Sequence, residues 1–445
     1  MTNRSGEHTP ASVLETTKQA GEIRARWAWV EPEVWTERML AALEQGVRGG
    51  KWFSLIDKVY APAVLYVAFL QVKANNGAPG VDRQTIEMFE NRLVDNLSHL
   101  SDHLQKGTYR PQAIQRTYIP KPGSNETRPL GIPTVRDRVV QTALRAVIEP
   151  IFERDFAEHS YGFRPERGCK DALRRVTELL AEGNVWVVDA DLKSYFDTIP
   201  HQQLMDEVKT KISDGRVIDL IGSYLQQEIM DGMKAWTPEQ GAPQGAVLSP
   251  LLSNIYLDPL DKMMAEKGIE MVRYADDFVL LCKSEQAARA AMEVVQEWTD
   301  KRGLSLHPEK THIVDATQKG GFDFLGYHFE RGYRWPRKKS LGRFKDAIRS
   351  KTKRANGYSM EAIILNINPT LEGWFEYFKH SHRTTFQPLD GWIRMRLRSI
   401  LRKRNRGKGR GRGLDHQRWP NVYFAERGLF SLAAAHAQAR QSSMR

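Results

Sequence analysis

Apolar residues recur along this chain in two rhythms, and the alternation between them outlines its organisation. Through residues 34–72 the positions Met39, Leu40, Leu43, Leu55, Val59, Leu65, Phe69 and Leu70 return at helical spacing, which predicts helices. Asn75-Asn76-Gly77-Ala78-Pro79-Gly80-Val81-Asp82 is a loop by composition, and a helix is expected from near Gln84 past Leu97. Two β-prone runs, 118–121 and 128–133, flank a Gly/Ser/Asn tip and predict a hairpin. An amphipathic helix follows over 137–152, then the aromatic and basic loop Tyr161-Gly162-Phe163-Arg164-Pro165. Residues 186–192 read as a strand that turns into a helix near Pro200. Residues 203–228 are helical in pattern, and Gly241-Ala242-Pro243-Gln244-Gly245 opens a helix over 247–264. Two short strands, 271–272 and 278–282, bend near Tyr274 to Asp277, followed by a helix over 285–302 and strands at 311–314 and 322–329. Past residue 330 the pattern is helical, with an aromatic amphipathic stretch over 371–378 and Leu and Ile interleaved with basic residues over 392–412.

Composition narrows this picture. At 445 residues, 41% hydrophobic and 27% charged, the chain has the make-up of a soluble protein with two or three domains. No window approaches the roughly 18 apolar residues of a membrane span. The opening Met1-Thr2-Asn3-Arg4-Ser5-Gly6-Glu7 lacks the apolar region of a secretory signal. Cys169 and Cys282 are isolated, which excludes a disulfide framework or a Cys-x-x-Cys zinc site and fits a reducing cytosol. The net charge of +12 is unevenly placed. Residues 331–413 hold 23 Lys/Arg against 5 Asp/Glu, an excess of 18, so the remainder carries −6. A footprint this concentrated points to a polyanion, most simply nucleic acid. Arg394, Arg396, Arg398, Arg402, Lys403, Arg404, Arg406, Lys408, Arg410 and Arg412 are the expected RNA-binding residues, with the Gly-rich tail tracking phosphates.

The chemistry is carried by acids in apolar surroundings. Asp276 and Asp277 interrupt a run that is otherwise fit for burial, and buried carboxylates need a compensating cation. A solvated polar turn is the ordinary reading of such a pair. Asp191 ends a strand ahead of a strand-to-helix turn, a common seat for active-site acids, and Asp189 shares its face if the strand continues. Asp191 lies 85 and 86 residues before Asp276 and Asp277, so only tertiary structure can unite the three. United, they would make a two-metal carboxylate site for in-line phosphoryl transfer. Lys121 and Arg128 beside the hairpin tip have the form of a phosphate grip.

These stretches resemble group II intron-encoded reverse transcriptases with maturase activity, of the bacterial type that lacks an endonuclease. Tyr274-Ala275-Asp276-Asp277 looks like the polymerase signature, and Ala190-Asp191-Leu192-Lys193-Ser194-Tyr195-Phe196-Asp197 is similar to the first catalytic motif. Gly241-Ala242-Pro243-Gln244-Gly245 matches the template- and nucleotide-contacting loop, and Asn76 to Asp82 resembles the N-terminal extension. Ile119-Pro120-Lys121 and Arg128-Pro129-Leu130-Gly131-Ile132-Pro133 look like the fingers. Phe324-Leu325-Gly326-Tyr327 looks like the primer grip, and Gly373-Trp374 with Tyr377-Phe378 like the maturase region. The motifs run in family order from about residue 50 to 430.

The resemblance implies an α+β right-hand polymerase, with fingers and palm built on antiparallel sheet and an α-helical thumb/maturase domain behind them. The implied divisions are a mobile segment over 1–49, N-terminal extension and fingers over 50–180, palm over 181–330 and a basic thumb over 331–445. After Gly413 only 32 residues remain, without cysteine, so no endonuclease domain is expected. Asp191, Asp276 and Asp277 would be catalytic and hold two Mg2+ ions, with Mn2+ as a substitute. Lys121 and Arg128 would grip the incoming dNTP, Phe196 would exclude a 2′-hydroxyl, Gln244 would face the nucleotide–template pair, and Lys310 would be the general acid for pyrophosphate or a solvated lysine. The implied partners are group II intron RNA, an RNA template with a DNA primer or DNA target, and dNTPs. The implied activity is RNA-directed DNA synthesis with assistance to splicing. Two other readings stand beside it: an RNA-binding splicing factor with incidental polymerase motifs, and an RNA-dependent RNA polymerase or a retron, diversity-generating or CRISPR-associated enzyme. The three intact aspartates weigh against the splicing factor. Phe196 and the Tyr-Ala-Asp-Asp form weigh against the RNA polymerase, and the N-terminal extension and maturase-like region against the other reverse transcriptases.

Overall fold

The computed structural model describes residues 21–47, 49–120, 127–411 and 413–442. Among the described residues, eleven strands in three sheets are surrounded by helices. The first sheet holds β1 (Ile114–Pro120), β2 (Thr127–Ile132), β4 (Ile229–Asp231) and β5 (Lys234–Trp236) in the order β2-β1-β4-β5. The second, β6-β7-β3-β8, combines β3 (Trp186–Asp191), β6 (Glu270–Tyr274), β7 (Asp277–Cys282) and β8 (His312–Asp315). The third stacks β9 (Phe322–Phe324), β10 (Tyr327–Glu330) and β11 (Tyr333–Pro336).

The central sheet is antiparallel throughout and covered on both faces. Val188, Ala190, Phe278, Leu280 and Cys282 join the large core under the fingers and palm helices. Val187, Val279 and Leu281, alternating with them, join a second core with Phe322, Phe324, Tyr327 and Phe378. A sheet buried on both sides reads as continuous apolar runs, which is why the acids within β3 and β7 stand out in the sequence. A third core, from Phe344 and Ile348 to Phe424 and Leu432, fills the C-terminal helical bundle built on Lys338–Lys351, Met360–Phe378, Phe386–Arg404 and Leu432–Ser442.

The α+β organisation of fingers, palm and helical thumb is therefore present, with local differences from the sequence reading. β1 pairs with β4 in parallel, and β4 forms with β5 a short hairpin that the helical pattern of 203–228 and the residues after it did not announce. That stretch is two helices, His201–Lys211 and Gly215–Leu225, the second capped by Asp214. The helix expected past Gln84 is likewise broken into Ile86–Glu90 and Leu93–Lys106. The N-terminal part is more ordered than its polar composition suggests. Trp27, Val30, Val34 and Trp35 are buried in the main core, and the Trp35 indole donates to Ala146 O at 2.9 Å. Residues 1–20 lie outside the described residues.

Candidate active site

The acidic pair sits where the hairpin pattern predicted, on a two-residue turn. Tyr274 pairs with Asp277 across β6 and β7, leaving Ala275 and Asp276 as the loop. Ala275 has φ +60°, a conformation costing a non-glycine residue about 1–2 kcal/mol. The surroundings hold it there. Arg273, 1% exposed, donates from Nη1 to Ala275 O and to Asn254 Oδ1, both at 2.9 Å. Its Nε meets Asp261 at 2.8 and 3.0 Å in a buried ion pair. Asn254 donates to Gly162 O at 2.8 Å, and Gly162 lies so close that a Cβ there would stand 2.2 Å from Ala275 N.

Tertiary structure brings Asp191 to this hairpin. In the β3–β7 ladder Asp191 pairs directly with Asp277, and Ala190 with Phe278. Since side chains alternate along each strand, Asp189, Asp191 and Asp277 share one face, with Asp276 at the adjacent turn. Burial first, then the charges of Asp189, Asp276 and Asp191, pushes the Asp277 carboxyl up to about 7. Asp189 is also pushed up to about 7, by burial and then by Asp323 and Asp191. Burial followed by the Asp191 charge raises Asp276, while Arg128 and Arg273 oppose the shift. Asp189, outside the expected catalytic set, thus belongs to the same electrostatic cluster. Lys310 pairs with Asp191, its Nζ donating to Oδ2 at 2.7 Å.

The donor chemistry fits a hard divalent cation: several oxygen-only ligands crowd together with their mutual repulsion incompletely neutralised. Among the described residues, no group of three or more His, Cys, Asp or Glu side chains is placed to hold a metal ion as it stands.

Around the cluster, the Gly241–Gly245 stretch is wedged between two of the expected contacts. Ala242 N donates to Phe196 O at 2.7 Å, and Gly131 N of the fingers hairpin donates to Gln244 O at 2.6 Å. A Cβ on Gly241 would fall 2.9 Å from Phe196 O, and one on Gly245 would fall 2.5 Å from Gly131 O, so these glycines permit the close backbone approach. Phe196 is half-buried against Tyr195. Arg128 is exposed near the turn end of the hairpin, paired with Ile119, while Lys121 lies outside the described residues.

The basic residues of the C-terminal region separate into two sets. Arg398 is 2% exposed and donates to Trp419 O and Asn421 Oδ1, each at 2.8 Å. It is a correction to the expected RNA-binding set, because reaching a phosphate would require opening the packing of the Trp419 segment. Arg396 donates to Thr352 Oγ1 at 2.7 Å and Arg402 to Asp415 Oδ2 at 2.6 Å. Arg404 donates to Tyr358 O, and Arg394 stands 4.0 Å from Asp390. Lys403, Arg406, Lys408 and Arg410 are exposed, and Arg412 lies outside the described residues. Among the described residues no helix is long and apolar enough to cross a membrane.

Sequence reasoning missed Arg273, Asp261, Asn254 and Gly162. A glycine between two aromatic residues and an arginine beside an apolar strand were the only signals, and neither reveals its partner.

Residues 119–329 match the family model described as reverse transcriptase (RNA-dependent DNA polymerase), and residues 341–419 match that described as group II intron, maturase-specific domain. Protein YkfC of Escherichia coli (strain K12) is 34% identical over 353 residues, covering 69% of this chain and 86% of its own length. Group II intron-encoded protein LtrA of Lactococcus lactis subsp. cremoris is 37% identical over 214 residues, covering 48% of this chain but 35% of its own length. Among solved structures, a chain of a partial Cas6-RT-Cas1–Cas2 complex is similar at 26% identity over 56% of this chain and 42% of that chain, with a TM-score of 0.37.

Proposed function

Because the chain belongs to the reverse transcriptase family and carries a group II intron maturase-specific domain, making it an RNA-directed DNA polymerase that assists splicing, we propose how its parts divide that work. The palm carboxylates Asp191, Asp276 and Asp277 form the nucleotidyl-transfer site. The observation that carries this reading is the direct pairing of Asp191 with Asp277 at the end of the β3–β7 ladder. These three carboxylates would hold two Mg2+ ions, or Mn2+ in their place, which would activate the primer hydroxyl and neutralise the leaving pyrophosphate.

The chain's own residues do the rest. Arg273 and Gly162 keep the acidic turn in one place, so that the carboxylates meet the reacting groups without rearrangement. Arg128, on the hairpin facing Asp276, binds triphosphate together with Lys121. Phe196 stands under the sugar and favours dNTPs, and Gln244 supports the nucleotide–template pair. Lys310 balances the charge of Asp191 and is the proton source for pyrophosphate once that contact is exchanged. The thumb supplies RNA affinity through exposed cations such as Lys403, Arg406, Lys408 and Arg410. The divisions at residues 49, 180 and 330 follow this assignment, and the substrates are intron RNA, an RNA template with a DNA primer or target, and dNTPs in a bacterial cytoplasm.

Primer extension on an RNA template tests the palm assignment. Asp191→Ala should lose dNTP incorporation while still binding primer–template; extension at the wild-type rate would remove Asp191 from the site.

A further inference from the structure

The hairpin between β9 and β10 is shaped by the thumb as much as by its own residues. Phe324 pairs with Tyr327, leaving Leu325 and Gly326 as a two-residue turn, and both have positive φ, +45° and +85°. This is the hairpin turn whose preferred sequence is Asn-Gly; a leucine in the first position meets a steric penalty that Asn or Gly largely avoids. Two hydrogen bonds from outside hold the turn. The Tyr377 hydroxyl donates to Leu325 O at 2.6 Å, and Arg337 N donates to Gly326 O at 2.9 Å.

Tyr377 lies near the end of the thumb helix Met360–Phe378, and its own carbonyl accepts from the Tyr327 hydroxyl at 2.6 Å. Two tyrosine hydroxyls therefore cross the seam between palm and thumb in opposite directions, Tyr327 to Tyr377 O and Tyr377 to Leu325 O. Gly326 fits against the same helix: a Cβ there would touch the Phe378 and Tyr377 rings at 3.7 and 3.8 Å.

We propose that Tyr377 is a positioning residue for polymerisation: its hydroxyl keeps the Leu325–Gly326 turn in its left-handed form and so fixes the seat of the primer end to the thumb helix. The inference rests on the reading of this turn as a primer contact and of the palm as a polymerase site. It makes thumb placement and primer placement a single variable, because the bond that shapes the turn comes from the thumb. Packing alone does not account for it, since a phenylalanine ring would fill the same space and keep the Tyr327–Tyr377 carbonyl bond.

The test compares the full-length wild type, Tyr377→Phe, Leu325→Asn and the double variant. Primer–template affinity is read by fluorescence anisotropy without dNTP, and the KM for dNTP is read on the saturated complex. Tyr377→Phe should weaken primer–template binding by about tenfold, the size expected for losing one hydrogen bond to a partly buried carbonyl, with the KM for dNTP little changed. Leu325→Asn, which makes the turn an Asn-Gly dipeptide, should restore most of the affinity in the double variant. Wild-type affinity in Tyr377→Phe, or a double variant as weak as Tyr377→Phe with an unchanged melting temperature, would overturn the proposal. Either of those results alongside a wild type that binds and extends normally leaves the polymerase reading standing and removes only the role of Tyr377. A wild type that neither binds nor extends removes that reading and the inference with it.

Discussion

Gly162 is the position where one methyl group should do most damage to the proposed chemistry. Its backbone runs against the acidic turn, and a Cβ there would stand 2.2 Å from Ala275 N, 2.8 Å from Tyr274 C and 3.0 Å from Ala275 Cα. All three are backbone atoms, so no side chain can swing away. Ordinary contact begins near 3.4 Å, and Gly162 is itself tied through its carbonyl to Asn254. The turn must therefore retreat by about 1 Å, and displacements of that size at reacting groups cost on the order of 10²-fold in rate. Overpacking should also cost about 1–3 kcal/mol of stability, which a large domain of this kind can lose without unfolding. The assay is single-nucleotide extension on an RNA template by Gly162→Ala, with melting temperature and primer–template binding measured on the same preparation. Gly342→Ala is the control, because it lies within the helix Lys338–Lys351 with nothing within 4 Å of the added methyl, and it should gain about 0.4–1 kcal/mol. A Gly162→Ala enzyme that is folded and extends at the wild-type rate would refute the coupling of this backbone to the carboxylates.

Two further outcomes follow from the geometry. Burial, and then the charge of Glu153, pushes Glu149 up to about 7 against the opposing pull of Arg145. A raised carboxyl favours the folded state below its unfolded value of 4.5 and loses that contribution as pH rises through about 7. Glu149→Gln should thus be more stable than wild type by about 1–2 kcal/mol at pH 8, the gap closing towards pH 5, in denaturant melts across that range. Replacing Lys403, Arg406, Lys408 and Arg410 together by Gln should weaken intron RNA binding and reduce the slope of log affinity against log salt by roughly 0.7–0.9 per lost phosphate contact. An unchanged slope in a filter-binding titration would take this surface out of the RNA interface.

The limits of the sequence are visible in particular residues. The acidic hairpin and the strand carrying Asp191 were legible, because acids in doubly buried strands break an otherwise apolar pattern. Their meeting was not, since the register that sets Asp191 opposite Asp277 is fixed by an 86-residue excursion through other elements. Charge counting picked out the basic region but could not separate Arg398, which faces Trp419 inside the bundle, from Lys403 and Arg406 on its surface. Arginines on a helix share one letter whichever way the helix is turned. The β4–β5 hairpin was hidden for a similar reason: its strands are three residues each and the pairing of β4 with β1 is a long-range event. Gly162 and Arg273 act only through contacts, so nothing local named their partners.

The sharpest discriminator is Asp276→Ala combined with Asp277→Ala, with cDNA synthesis and intron RNA binding measured side by side on the full-length protein. A palm that polymerises and a thumb that holds RNA predict that synthesis disappears while intron binding and its salt dependence stay at the wild-type level. Persistent cDNA synthesis would contradict the carboxylate assignment, and loss of RNA binding in a correctly folded variant would contradict the division between the two halves.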